Sequence, residues 1–321
     1  MLRYSADRRT LLWCAAMPVV ALSMYVNPAL IPYLSPLACY LALAAGVMAH
    51  NHNHCPTFKN RKLNDVFGMY LSVFYGYPTF AWIPTHNLNH HKYVNKAGDA
   101  TITWRYTNKH NWLVASTYFY VSSYFQSDPI KAFIRKARTN NPTLYRQIIT
   151  QYVVWAGTHV LLLGLAIALF GGWEGARVWV FAFGLPAFFA LWTIMLFNYI
   201  QHVHTDPWSE HNHSRTFTSK AMNYLLFNNA LHTAHHEQPG AHWSTLPEAH
   251  AKIEAQIHPE LKPNSFFAWC FNNYVLALVS PRFGTQQVGR APFSPPTGEK
   301  ADVTFSDQLE AVDRGINASR V

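Results

Sequence analysis

Two long apolar runs, residues 148–170 and 178–200, set the first limit on what this chain can fold into. Each is close to the ~20 residues that cross the hydrocarbon core of a bilayer. A short link, Gly171-Gly172-Trp173-Glu174-Gly175, joins them. In hydrocarbon every backbone N–H and C=O must be bonded within its own segment, so both runs read as helices. Composition agrees: 13% of the 321 residues are charged, about half the ~25% usual in soluble domains.

The N-terminal region reads as a second membrane hairpin. Spans are expected at 11–26 and 33–49, with a turn through Pro28 and Pro32. A signal peptide is the alternative, but no small-residue cleavage site follows the first run. Arg3, Arg8 and Arg9 precede this hairpin, and Lys59, Arg61 and Lys62 follow it. Basic residues collect on the cytoplasmic side of membrane proteins. The net charge of +9 is therefore read as topology, and no nucleic-acid partner is expected. The stretch 63–83 is apolar but carries Asp65, Gly68, Gly76 and Pro78. It is expected to lie in the interface or re-enter. Residues 111–125 and 266–279 read as interfacial or surface-lying helices. Residues 1–283 form the expected membrane domain, and 284–321 a disordered tail. The fold expected is thus all-α and integral to the membrane. Four transmembrane helices carry a cytoplasmic helical cap with a His-rich di-metal site, and both termini are cytoplasmic.

That site is read from the clustering of 18 histidines. His232, His235 and His236 are spaced i, i+3, i+4 and share one face of a helix. His50 and His54 are one helical turn apart, and His86, His90 and His91 form a further cluster. Neutral imidazole binds iron, zinc and copper. One cluster cannot fill a coordination sphere, but three can. Zinc needs only about three or four protein ligands, whereas the clustered imidazoles suffice for two metals. The soluble di-iron pattern uses carboxylates with paired ExxH motifs, and only Glu210–His213 fits it here. His52 points away from His50 and His54 on a helix. His110, His159, His211, His213, His242, His250 and His258 stand alone and read as surface or core residues. Cys14, Cys39, Cys55 and Cys270 form no CxxC pair and read as inert thiols, Cys55 being a weaker rival ligand.

In order and spacing these clusters resemble the three histidine boxes of membrane fatty acid desaturases and related hydroxylases. Asn95 and Asp99 resemble that family's HHxxxN…D continuation. Pro239 and Trp243-Ser244-Thr245-Leu246-Pro247 resemble its P…WxxLP continuation. The likeness covers roughly residues 30–260. It implies two irons held by His50, His54, His86, His90, His91, His232, His235 and His236. The family's NxxxH element implies His202 as a ninth ligand, with Asn198 holding a water at the metal. His204 is the rival of His202, without an Asn one turn earlier.

The resemblance also implies O2 as co-substrate and desaturation of a long acyl chain carried on CoA, acyl carrier protein or phospholipid. The aromatic stretches 70–82 and 112–125 are expected to line its tunnel. Hydroxylation, ketolation and acetylenation are alternatives on the same scaffold. The chain has no dinucleotide fingerprint, CxxC pair or HPGG haem motif. An external electron donor such as ferredoxin, cytochrome b5 or a reductase is implied. A non-enzymatic metal transporter or sensor would bury its histidines mid-span; here they sit at span ends.

Overall fold

Eight helices carry the architecture of the computed structural model, which describes residues 1–297. They are α1 (Asp7–Val26), α2 (Ile31–His54), α3 (Arg61–Tyr75), α4 (Trp112–Asn140), α5 (Pro142–Phe170), α6 (Gly172–His202), α7 (His232–Glu237) and α8 (Phe266–Val279). Short helical turns fill much of the remainder. Among the described residues there is no strand, only an isolated bridge between Leu2 and Phe58.

Four helices are long and apolar enough to cross a membrane: α1, the stretch Pro28–His54 that includes α2, α5 and α6. They are the four expected spans, each longer than its apolar run. The chain is therefore a multi-pass membrane protein. The helix starts follow from their capping residues. Asn60 accepts from Leu63 N and Asn141 from Leu144 N, each satisfying a donor that a helix start leaves over. Helix α3 has 15 residues and rises about 22 Å, short of a ~30 Å hydrocarbon core. It ends at Gly76, whose φ of 91° is left-handed and suits glycine.

The chain divides into two units. Unit 1 comprises Met1–Trp82 and Ile134–Ile194. Here α3 and the turn that follows it are tied to α5 by a polar seam. Gln147 donates to Asp65 (3.1 Å), Gln151 accepts from Phe80 N (3.0 Å), and the Tyr77 and Tyr152 hydroxyls meet at 3.1 Å. Small residues let backbones approach: a Cβ on Gly175 would lie 2.5 Å from Ala166 O across the α5–α6 turn. Only 6% of the apolar window of α5 is buried. Its exposed Val153, Val160, Leu161 and Leu169 need a lipid environment. Arg177, just after the link, is paired with Glu174 (2.8 Å), which offsets its charge.

Unit 2 comprises Ile83–Phe133 and the chain from Met195 on. Its core gathers Ala115 and Tyr118 of α4, Tyr199 and Ile200 of α6, and Val203, Phe217, Ala230 and Trp269. The tail was expected to lose order from Gly284, yet its first residues are bonded. Val288 N donates to His204 O (3.0 Å), Arg290 N to Asp206 Oδ2 (2.9 Å) and Trp208 Nε1 to Ala291 O (3.0 Å). Trp104 and Phe293 add a ring contact at 5.8 Å. The rest of the expected tail, 298–321, lies outside the described residues.

Candidate metal centre

The second histidine cluster does not lie on a regular α-helix. Residues Ile83–His90 wind as a π-helix, and α-helical winding resumes at His91–Tyr93. Pro84, which has no N–H, sits at the start of this segment. At about 4.4 residues per turn, rings 86, 90 and 91 fall within an arc of about 80°. At 3.6 residues per turn, ring 91 would stand about 140° from ring 86. The wider winding thus lets three rings share one face.

In unit 2, His90, His202, His232 and His236 converge, with one nitrogen of each inside 4.8 Å of the others. Their Nε2 atoms approach in a chain: His90 to His202 at 3.1 Å, His202 to His232 at 2.9 Å, His232 to His236 at 3.1 Å. His86, His91 and His235 form a second set. His91 Nε2 lies 3.1 Å from His86 Nε2 and 3.0 Å from His235 Nε2. The two sets adjoin, with His91 and His236 ring centroids 4.4 Å apart. The rings come from the π-segment and the first residue after it, the last turn of α6, and α7.

Proton positions decide what these nitrogens can do. Asp99 Oδ2 lies 2.8 Å from His90 Nδ1, and His213 O lies 3.2 Å from His202 Nδ1. A carboxylate and a carbonyl only accept, so both Nδ1 atoms carry the hydrogen. In the neutral rings both Nε2 atoms are then bare lone pairs. Two lone pairs 3.1 Å apart repel unless a cation lies between them. The residues therefore fit a metal. The spacing is that of two nitrogens about 2.1 Å from one ion at an angle near 90°; a tetrahedral ion would spread them to about 3.4 Å.

The surroundings favour neutral, ligating imidazole. Burial holds His236 well below the ordinary histidine value, and the neighbouring His91, His232, His90 and His202 add to it. Burial alone would raise the Asp99 carboxyl. The His90 ring and the bonds from His90 and Thr101 bring it down to about 2. Thr101 also places its hydroxyl 3.0 Å from His90 Nδ1 and donates to Asp99 Oδ1 at 2.6 Å.

The remaining expected residues have distinct places. His50 and His54 end α2 in unit 1, their ring centroids 4.8 Å apart, with Trp82 5.2 Å from His50. His52 faces elsewhere: it is buried, with Nδ1 3.0 Å from Thr57 Oγ1 and Nε2 3.2 Å from Asn64 O. It fastens the end of α2 to the start of α3. Asn198 donates from Nδ2 to the Tyr118 hydroxyl at 2.8 Å, and that hydroxyl donates to Thr101 O. His204 lies 2.8 Å from Asn108 O and 2.9 Å from Thr285 O, and is not in either set.

Three contributors were not read from the sequence. His213, grouped there with the lone histidines, offers its carbonyl to His202, and its ring lies 5.4 Å from that of His236. Thr101 and Tyr118 join Asp99 and Asn198 only through the tertiary fold. No local signal marks them.

No curated protein and no solved structure matches the chain. The family described as fatty acid desaturase matches residues 27–267, three-quarters of the chain, and covers all three histidine clusters. Three of the four spans also fall within that match, and the chain belongs to the fatty acid desaturase family.

Proposed function

We propose that this membrane oxidoreductase is an O2-dependent di-iron acyl-chain desaturase. One observation carries the reading: bare Nε2 atoms of His90 and His202 face each other, beside a second set of clustered rings. His90, His202, His232 and His236 are the proposed ligands of one iron. His86, His91 and His235, with His50 and His54, are those of the other, as the resemblance to the family implies. Asn198 keeps its proposed role of holding a water through its side-chain amide.

Bound there, iron supplies the redox chemistry by which O2 removes two hydrogens from adjacent methylenes of a long acyl chain. The balance requires two electrons and two protons from outside; with the two hydrogens taken from the chain, these protons leave as two waters. Hence an external donor of the ferredoxin, cytochrome b5 or reductase kind is proposed as partner. The acyl carrier is CoA, acyl carrier protein or phospholipid. The chain's own residues set proton positions. Asp99 and His213 O keep hydrogen on Nδ1, and Thr101 braces the His90–Asp99 pair. Groups that orient ligating histidines commonly affect metal affinity by about 10–100-fold. The basic residues at 59–62 and 131–146 support a cytoplasmic site.

Two measurements test the proposal. Metal analysis of the purified protein is expected to give two irons per chain; a single zinc ends it. Lipid profiling of an expressing host is expected to reveal new double bonds. New hydroxyl groups instead would assign hydroxylation.

A further inference from the structure

Arg215 is among the largest side chains that are fully sealed from solvent, at 0% exposure. An ionised group this deep ordinarily has a carboxylate partner. Among the described residues no ion pair to Arg215 is present. Its partners are carbonyl oxygens instead. Nη1 donates to Ile200 O and to Val203 O (3.2 Å), and the backbone N–H donates to Gln201 O (2.6 Å). Nη2 donates to Thr285 Oγ1 at 3.1 Å, and the guanidinium lies 4.8 Å from the Trp269 ring centroid.

These carbonyls close the last turn of α6. A helix end leaves its final C=O groups without intrahelical partners and carries partial negative charge. Here that charge is the counterpart of the guanidinium, and the Trp269 face adds to it. His202 sits between the bonded carbonyls. Its own carbonyl accepts from Asn95 Nδ2 and Thr205 Oγ1, both at 2.9 Å. Its Nδ1 meets His213 O, two residues before Arg215. One loop therefore fixes both the backbone turn and the ring tautomer of His202.

We propose that Arg215 is a positioning residue that sets the rotation of the last turn of α6 and so aims His202 Nε2 at His90 and His232. The inference rests on the di-metal reading above. It acts on one of the two sets only, because Arg215 touches α6 beside His202 and has no bond to the His86, His91, His235 set.

The test is cobalt(II) titration of metal-free protein in detergent, followed by absorption and by metal content. Wild type is expected to take up two cobalt ions; fewer than two defeats the di-metal reading itself. Arg215→Lys keeps the charge but cannot span the same carbonyls. It is expected to bind one cobalt as wild type does and the other at least ten-fold more weakly, with helix content unchanged. Two cobalt ions bound as in wild type, or equal weakening of both, would overturn the assignment. Should Arg215→Lys not fold, Thr285→Val removes only the Nη2 acceptor. Selective weakening of one cobalt then supports the role, and unchanged affinities reject it.

Discussion

Asp99 Oδ2 stands 2.8 Å from His90 Nδ1, with the two side chains 0% and 1% exposed. The pair holds the imidazole in one tautomer and one orientation. Asp99→Asn keeps the shape but loses the charge, and can present either an oxygen or an NH2 group to the ring. Iron content or desaturation is expected to fall about 10–100-fold, with helix content retained. Metal analysis beside circular dichroism checks this; undiminished iron would show that the carboxylate is dispensable.

His202 and His204 are two residues apart but do different things. His202→Ala removes a nitrogen from the four-ring set and is expected to abolish activity and remove one metal. His204→Ala breaks bonds to Asn108 O and Thr285 O. It is expected to lower stability by about 1–3 kcal/mol while metal content holds. Metal stoichiometry and thermal melting of both variants distinguish the roles, and loss of metal in His204→Ala would reverse them.

The pH response of stability follows from His110. Burial first, then His204 and Arg215, depress this histidine from its ordinary 6.5 to about 3. Its Nδ1 lies 3.2 Å from the Tyr199 hydroxyl, and Trp269 and Tyr274 flank the ring. Between those values the unfolded chain binds a proton that the folded chain does not. Stability is thus expected to fall as pH drops from about 6.5 towards 3, and to be flat above. Melting of metal-free protein between pH 4 and 8 is the measurement. His110→Phe should show a shallower acid slope than wild type.

Gly175 tests the α5–α6 turn. A Cβ there would stand 2.5 Å from Ala166 O and 2.5 Å from Ile167 Cα. Both are backbone atoms that cannot swing away. Gly175→Val is expected to pry the hairpin apart and lower the yield of detergent-stable protein several-fold. Gly157, with nothing within 4 Å, is the control, and Gly157→Ala should express as wild type. Equal yields would mean that the turn adjusts freely.

Much of the fold was legible because membrane spans announce themselves by length. The four apolar runs became α1, α2, α5 and α6, and α2 continued into His50–His54 as its pattern required. That His232, His235 and His236 share one face was legible for a similar reason: i, i+3, i+4 spacing is a local property. What could not be read was anything made by loops meeting at a distance. His213 was marked only as the end of a lone ExxH stretch, and nothing there points to its carbonyl, which meets His202 Nδ1. The bonds at residues 285–291 were hidden by a Pro-rich, polar composition that ordinarily gives no structure. Their anchoring partners, His204 through Trp208, lie about eighty positions earlier. The winding of residues 83–90 was also hidden, because side-chain types do not state whether a turn closes on four residues or five.

That wider turn ties reading frame to reactivity. Were the segment to tighten to ordinary helical pitch with all its residues kept, every imidazole and every apolar position would be conserved. Ring 91 would nevertheless swing to about 140° from ring 86. A change outside the histidines that restores ordinary pitch here would therefore scatter the donor atoms while leaving the HxxxHH motif intact.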